Sequence, residues 1–217
     1  SSPRTRRAAA LAMTRMDRKF WFPVSLLSTL LHELNDFCDV LEVNGKRLIK
    51  YQTIYFDTPE NEMYLDHHNG KLARYKVRRR LYETSSTGFF EIKRKNNRQI
   101  TQKKRIETDF SEKKLLTHEK RFLQENSPYE NHELQPITSN RFYRITLISK
   151  LQTDRCTIDL FPSYQNHSSG LDLKELVVFE LKKSAMLYNS PVLSILKRTG
   201  IRQRGLSKYC TGRALLN

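Results

Sequence analysis

The sequence predicts an α+β fold: about eight antiparallel strands closing into a barrel, a tunnel with a charged interior and helices packed outside. Three observations predict it. Strand-like segments follow one another as hairpins with helices inserted, unlike the steady strand–helix alternation of a doubly wound sheet. Strand after strand, cations with isolated carboxylates occupy one face and apolar residues the other. The helices also carry apolar stripes, which the apolar strand faces can cover. If those faces turn outward, the charged ones line the interior, and such a ring of like charges needs an anion to neutralise it.

Element by element, "RKFWF" (18–22) reads as a short strand that stops at Pro23. Leucines at 26, 27, 30, 31 and 34 mark an amphipathic helix over 25–37. "RLIKYQTIYFD" (47–57) is a strand, and Thr58-Pro59 opens a short helix that ends before Gly70. "ARYKVRRRLY" (73–82) is a strand with Arg74, Lys76, Arg78 and Arg80 on one face, opposite Tyr75, Val77, Arg79 and Leu81. After a turn at 84–88 come "FFEIKRK" (89–95), a polar turn at 96–99 and "ITQKKRIETDF" (100–110). In the first of these, Glu91, Lys93 and Lys95 face away from Phe90 and Ile92; in the second, Lys103, Arg105 and Glu107 oppose Lys104 and Ile106. Ser111 is positioned to cap a helix over 112–125, and 126–136 is a loop. "NRFYRITLIS" (140–149), "DRCTIDLF" (154–161) and "LVVFELKKS" (176–184) are strands, with a flexible loop at 162–170 between the last two. They place Arg144 and Thr146, then Arg155, Thr157 and Asp159, then Glu180 and Lys182, on polar faces. Pro191 starts a helix that Gly200 ends, and a last helix covers 207–216.

Composition bounds the function. Thirty-nine basic against 23 acidic residues leave a net charge of +16, which implies an anionic partner: nucleic acid, a phosphate-rich small molecule or an anionic membrane. The 217 residues fit one domain over 16–217, preceded by a disordered or appended segment at 1–15, with Met13 and Met16 both plausible starts. No apolar run is long enough to span a bilayer, so a cytoplasmic protein is expected, with any membrane association through a partner. Cys38, Cys156 and Cys210 lack CxxC spacing and suit free thiols in a reducing compartment. "HELND" (32–36) begins like a zinc-protease helix, but Asp36 replaces the second histidine.

With these patterns in place, the chain resembles the triphosphate tunnel metalloenzymes (the CYTH-like superfamily), and among them the VTC domain of polyphosphate polymerases. The resemblance rests on "RKFWF", "YFDTPENEMY" (55–64), "RRRLY" (78–82), "FFEIKRK", "QKKR" (102–105), "RFYRITL" (141–147), "RCTIDL" (155–160), "FELKKS" (179–184) and "LSKYCTG" (206–212), in order along the chain.

The resemblance implies phosphate-binding roles for Lys19, Arg78, Arg80, Lys93, Lys103, Arg144 and Arg155, with Ser207 and Lys208 at the tunnel mouth. Of these, Arg78, Arg80, Lys93, Lys103, Arg144 and Lys208 would be catalytic. Tyr82, Arg105 and Lys182 match further tunnel-facing, substrate-binding positions. Glu180 matches the carboxylate for a divalent metal, Mn²⁺ or Mg²⁺; Glu91 falls either to that metal or to orienting Lys93 as an ion-pair partner. A lysine usual two residues before the "SK" serine is Gly205 here, with Arg204 as its substitute.

The implied reaction moves the γ-phosphate of ATP onto a growing inorganic polyphosphate chain and releases ADP. The first alternative is hydrolysis of inorganic or nucleoside triphosphates. It is disfavoured because "DRKFWF" (17–22) offers Lys19 and no glutamate, hence fewer metal ligands and no evident base. A weaker one is non-catalytic binding of polyphosphate or RNA; specific nucleic-acid binding is not expected, since no RNP or KH motif is present and most aromatics fall on apolar faces. Arg79, Arg94 and Lys104 are expected as surface charges, Asp159 as an ion-pair partner, and Phe20 and Trp21 as packing residues.

Overall fold

The computed structural model describes residues 16–97, 101–110, 114–129, 133–151, 154–183 and 190–203, together with positions 208, 211, 215 and 216. Strands β1 (Met16–Pro23), β2 (Cys38–Val40), β3 (Ile49–Asp57), β4 (Arg74–Tyr82) and β5 (Thr87–Lys95) occupy the first half of the chain. β6 (Thr101–Thr108), β7 (Gln135–Ser149), β8 (Asp154–Gln165), β9 (Gly170–Asp172) and β10 (Leu176–Lys183) complete the sheet. Inserted among them are α1 (Leu27–Leu34), α2 (Glu62–His68), α3 (Thr117–Asn126) and α4 (Pro191–Arg198).

The hydrogen-bonded order is β1-β10-β8-β7-β3-β4-β5-β6, with β2 paired to β7 and β9 to β8. This is the expected α+β class with an eight-strand main path, and its ladders from β3 to β6 and from β1 to β8 are antiparallel. Among the described residues, no hydrogen-bonded ladder joins β6 to β1. No helix among them is long and apolar enough to cross a membrane.

The chain divides into two compact units. One draws on the chain up to Ile49, on Phe142–Pro162 and on Leu173–Leu206. Its core sets Leu30 and Leu34 of α1 and Val192, Ile195 and Leu196 of α4 against Phe20, Cys156, Ile158, Phe179 and Leu181. Those strand residues alternate with Lys19, Arg155, Thr157, Glu180 and Lys182, so covering the apolar face commits the charged residues to the other. Each such leucine or phenylalanine stabilises the unit by about 1.5–3 kcal/mol on burial.

The other unit comprises Lys50–Arg141, Ser163–Asp172 and the chain from Ser207. Met63 of α2 and Leu123 of α3 pack on Phe56, Val77, Phe90 and Ile92, again the faces opposite the cations. The start of α2 is fixed by buried Asp57. Its Oδ1 accepts the Thr58 and Met63 N–H groups at 2.8 and 3.0 Å, and its Oδ2 accepts that of Tyr64 at 2.9 Å.

Several expectations are corrected. α3 starts at Thr117, because Glu119 Oε2 accepts the Leu116 N–H at 2.9 Å; Ser111 lies outside the described residues. β7 begins at Gln135, since Pro136 is tolerated where a strand opens. The loop expected at 162–170 is largely a hairpin. Asn166 Oδ1 accepts the Ser168 and Ser169 N–H groups at 2.9 and 2.7 Å, which closes the turn between Gln165 and Gly170. α1 spans only Leu27–Leu34, preceded by a 3₁₀ turn at Val24–Leu26. The segment 1–15, Cys210 and most of the last helix also lie outside the described residues.

Candidate functional site

In the unit built on β3 to β6, pairing register arranges the polar face as successive rows across the strands. Tyr51, Tyr82 and Thr87 form the first row, and Thr53, Arg80, Phe89 and Glu107 the second. Tyr55, Arg78, Glu91 and Arg105 follow, then Lys76, Lys93 and Lys103, then Arg74, Lys95 and Thr101. Successive rows stand about 7 Å apart, two residues along a strand.

Glu91 organises the third row. It is fully buried, its Oε2 accepts from Arg78 Nε at 2.6 Å, and its Oε1 is ion-paired with Lys103 Nζ. Burial opposes its ionisation, but the charges of Arg78, Arg80 and Lys103 outweigh that and draw the carboxyl down to about 2. Burial lowers Lys103 despite the neighbouring carboxylate, whereas Arg78, although buried, is raised by Glu91. Of the two roles expected for Glu91, the structure shows ion pairing, with Arg78 and Lys103 as the partners. Arg80 is held by Thr53, its Nε donating to Oγ1 at 3.1 Å, and its guanidinium lies 5.6 Å from the Tyr51 ring centre. Tyr51, Tyr82 and Phe89 form an edge-to-face aromatic series, and Arg105 stands 4.3 Å from the Phe89 ring centre.

Arg79 corrects an expectation. It points away from this face as anticipated, but it is fully buried rather than a surface charge. Its Nη2 lies 2.5 Å from Glu119 Oε2. A strand flanked by a helix on its outer side has no water there, so a cation must take its counter-charge along. Arg94 and Lys104 are exposed as expected; Arg94 lies over the Tyr75 ring, and Lys104 donates to Asn126 at 2.7 Å.

In the other unit, Lys19, Glu180 and Thr157 share one row, and Asp17, Lys182 and Arg155 the next. Arg144 clamps Asp159 with two bonds, Nε to Oδ1 at 2.6 Å and Nη2 to Oδ2 at 2.8 Å, so Asp159 is the ion-pair partner that was expected. Phe20 is core, whereas Trp21 shares a row with Val178 and Asp159. Arg155 is exposed, while Lys19, Glu180 and Lys182 are half-buried.

Among the described residues there is no group of three or more histidine, cysteine or acidic side chains that could cage a metal. The donors do fit a hard divalent ion carried by phosphates, which needs only one or two carboxylates from the protein. Glu180 supplies one, and beside it Thr157 has a buried Oγ1 without a hydrogen-bond partner among the described residues.

Most of the expected positions therefore sit on the polar faces of their own units. Lys208 is half-buried, and Arg204 and Ser207 lie outside the described residues. The sequence reading passed over Lys76 as a site residue, although its place in the Arg74–Arg80 alternation marked it. It also passed over Thr53 and Asn140. Asn140 is in phase with Arg144 on the strand expected over 140–149, and that alternation was the available signal.

In each unit, arginines, lysines and single carboxylates share the polar face of the sheet, a charge pattern suited to an anionic partner. The chain belongs to the VTC domain family, whose profile matches residues 14–217. Among solved structures it is similar to a candidate adenylyl cyclase from Hippeastrum described as having a dominant triphosphatase activity. The TM-score there is 0.59 at 14% identity, covering 94% of this chain and 97% of the other. A candidate adenylate cyclase from Vibrio parahaemolyticus aligns with a TM-score of 0.53 at 10% identity over 90% of this chain and 95% of that one. The PH1819 protein of Pyrococcus horikoshii OT3 gives 0.50 at 9% identity, covering 92% and 98%. At such identities the likeness is one of fold. No curated protein sequence matches the chain.

Proposed function

We propose that this domain is a metal-dependent polyphosphate polymerase, transferring the γ-phosphate of ATP to the end of an inorganic polyphosphate chain. The observation that carries this reading is the face on β4, β5 and β6, where Arg78, Arg80, Arg105, Lys93 and Lys103 converge around a single buried carboxylate, Glu91. That arrangement suits a linear polyanion, and membership of the VTC domain family supports it.

In this reading Arg78 and Arg80 hold non-bridging phosphate oxygens, while Lys93 and Lys103 neutralise the charge that spreads over the transferred phosphoryl group. Glu91 fixes Arg78 and Lys103 in place. A terminal phosphate oxygen of the chain attacks the γ-phosphorus, the β–γ bridging bond breaks, and ADP leaves with its electron pair. A divalent ion carried by the substrate's phosphates would supply stabilisation of the charge on the leaving group, and Glu180 is the carboxylate of its own unit that would hold such an ion.

Hydrolysis is the competing outcome, given the triphosphatase activity described for the Hippeastrum protein of the same fold. Incubation of the purified protein with ATP and Mn²⁺ tests both. Polymer formed in step with ADP is expected; orthophosphate in step with ADP and no polymer overturns the polymerase reading.

A further inference from the structure

The unit that holds the Arg78–Arg80 face also contains a cavity of about 370 Å³, within the range of small-molecule sites. Its walls are partly apolar, formed by Ile54, Phe110, Pro136 and Ile137, and Arg141 is the one lysine or arginine among the described residues that line it. That lining is unlike the cation-rich face and poorly suited to a second phosphate group.

Most polar side chains around the cavity are already engaged. Thr138 donates to the Gln165 carbonyl at 3.1 Å, Asn166 closes its own turn, and the His167 ring meets the Pro136 carbonyl at 3.0 Å. Asn140 differs. It is only 2% exposed, and neither its Oδ1 nor its Nδ2 has a hydrogen-bond partner among the described residues. A buried carboxamide with both ends unmet is costly unless something supplies an acceptor and a donor side by side. Asn140 also lines the smaller neighbouring cavity.

Thr53 ties this cavity to the phosphate face, because it lines the cavity and its Oγ1 accepts from Arg80 Nε. Thr53 thus sets the cavity next to the Arg80 row of that face.

We propose that the Asn140 cavity is a nucleobase subsite that reads adenine, the Asn140 carboxamide pairing with the base's amino group and adjoining ring nitrogen. A carboxamide matches that acceptor–donor edge with two hydrogen bonds, and Phe110 and Pro136 offer the flat apolar walls a purine needs. The subsite rests on the triphosphate reading above and gives it a substrate preference.

The test measures binding of ATP, of purine riboside triphosphate (which lacks the 6-amino group) and of inorganic tripolyphosphate to the wild-type chain, Asn140→Ala and Asn140→Leu. Wild type should bind ATP about tenfold more tightly than the deaminated analogue. In both variants that ratio should fall to near one, while tripolyphosphate affinity stays unchanged and reports an intact fold. Equal wild-type affinity for the two nucleotides, or a ratio that survives both substitutions, overturns the proposal. If tripolyphosphate does not bind the wild type, the phosphate reading fails. Adenosine against purine riboside, with and without Asn140, then decides the base subsite separately.

Discussion

Arg79 and Glu119 form a fully buried ion pair behind the charged face, with Nε 2.8 Å from Oε1 and Nη2 2.5 Å from Oε2. Thr108 Oγ1 also donates to Glu119 at 2.6 Å, and Arg79 Nη2 reaches the Lys114 carbonyl at 3.0 Å. The pair fastens α3 to β4 between the two arginines that face the other way.

Removing one partner strands the other charge without water. Arg79→Ala should destabilise the chain by about 3–5 kcal/mol, read as a lower urea midpoint at an unchanged slope. Arg79→Leu combined with Glu119→Leu should recover most of that loss. A double variant as unstable as Arg79→Ala would show that geometry rather than charge balance holds α3.

The alternation of residues 74–82 revealed which side chains of β4 share a face, and the structure bears that division out for Arg74, Lys76, Arg78 and Arg80. What lay behind the strand was not legible. Arg79 reads as a surface cation until the position of Glu119 is known, and no local pattern links residues forty positions apart. Likewise Asn140 reads as a strand terminus, because 126–136 reads as a loop. The extent of β7 depends on tertiary pairing, which overrides that local signal.

Glu91 gives the protein a specific acid sensitivity. Its carboxyl is lowered in the fold from 4.5 to about 2, so its stabilisation is complete above the unfolded-state value and fades as pH falls toward the folded one. The loss amounts to about 3 kcal/mol between roughly pH 5 and pH 2. Glu91→Gln starts out less stable, but its stability should fall less steeply over that interval. Denaturant melts at several pH values measure the slope; parallel slopes in the two proteins would remove Glu91 as the cause.

Arg80→Ala and Glu180→Gln should separate binding from turnover. On the proposed reading, loss of Arg80 removes a phosphate contact made in ground and transition states alike, so tripolyphosphate affinity and polymer formation should both fall at least tenfold. Glu180→Gln keeps the shape but removes the charge. Turnover with Mn²⁺ should therefore disappear while calorimetric binding of tripolyphosphate stays within about threefold. Normal turnover in Glu180→Gln would discard Glu180 as the metal-holding group.

On the same reading tripolyphosphate binds the folded face and not the dispersed chain, so it should raise the melting temperature. At a hundred times its dissociation constant the gain is about 2.7 kcal/mol, and it should shrink as salt is added. Arg94→Ala, on the exposed outer side of β5, should show the same shift as wild type. A shift reduced as much by Arg94→Ala as by Arg80→Ala would mean that net charge, not the face, binds the anion.

The rows on β3 to β6 are not equivalent. Tyr51, Tyr82 and Thr87 carry no charge, Glu107 offsets Arg80 in the next row, and Glu91 offsets only one of the two arginines in the third. The fourth brings Lys76, Lys93 and Lys103 together, with Lys103 ion-paired to Glu91, and the fifth adds Arg74 and Lys95. A negative group moved along these strands thus descends a slope of electrostatic potential, from a neutral aromatic rim toward the fourth and fifth rows with their lysines and Arg74. The face therefore has a polarity of its own. A flexible polyanion laid on it is pulled toward one end rather than merely held.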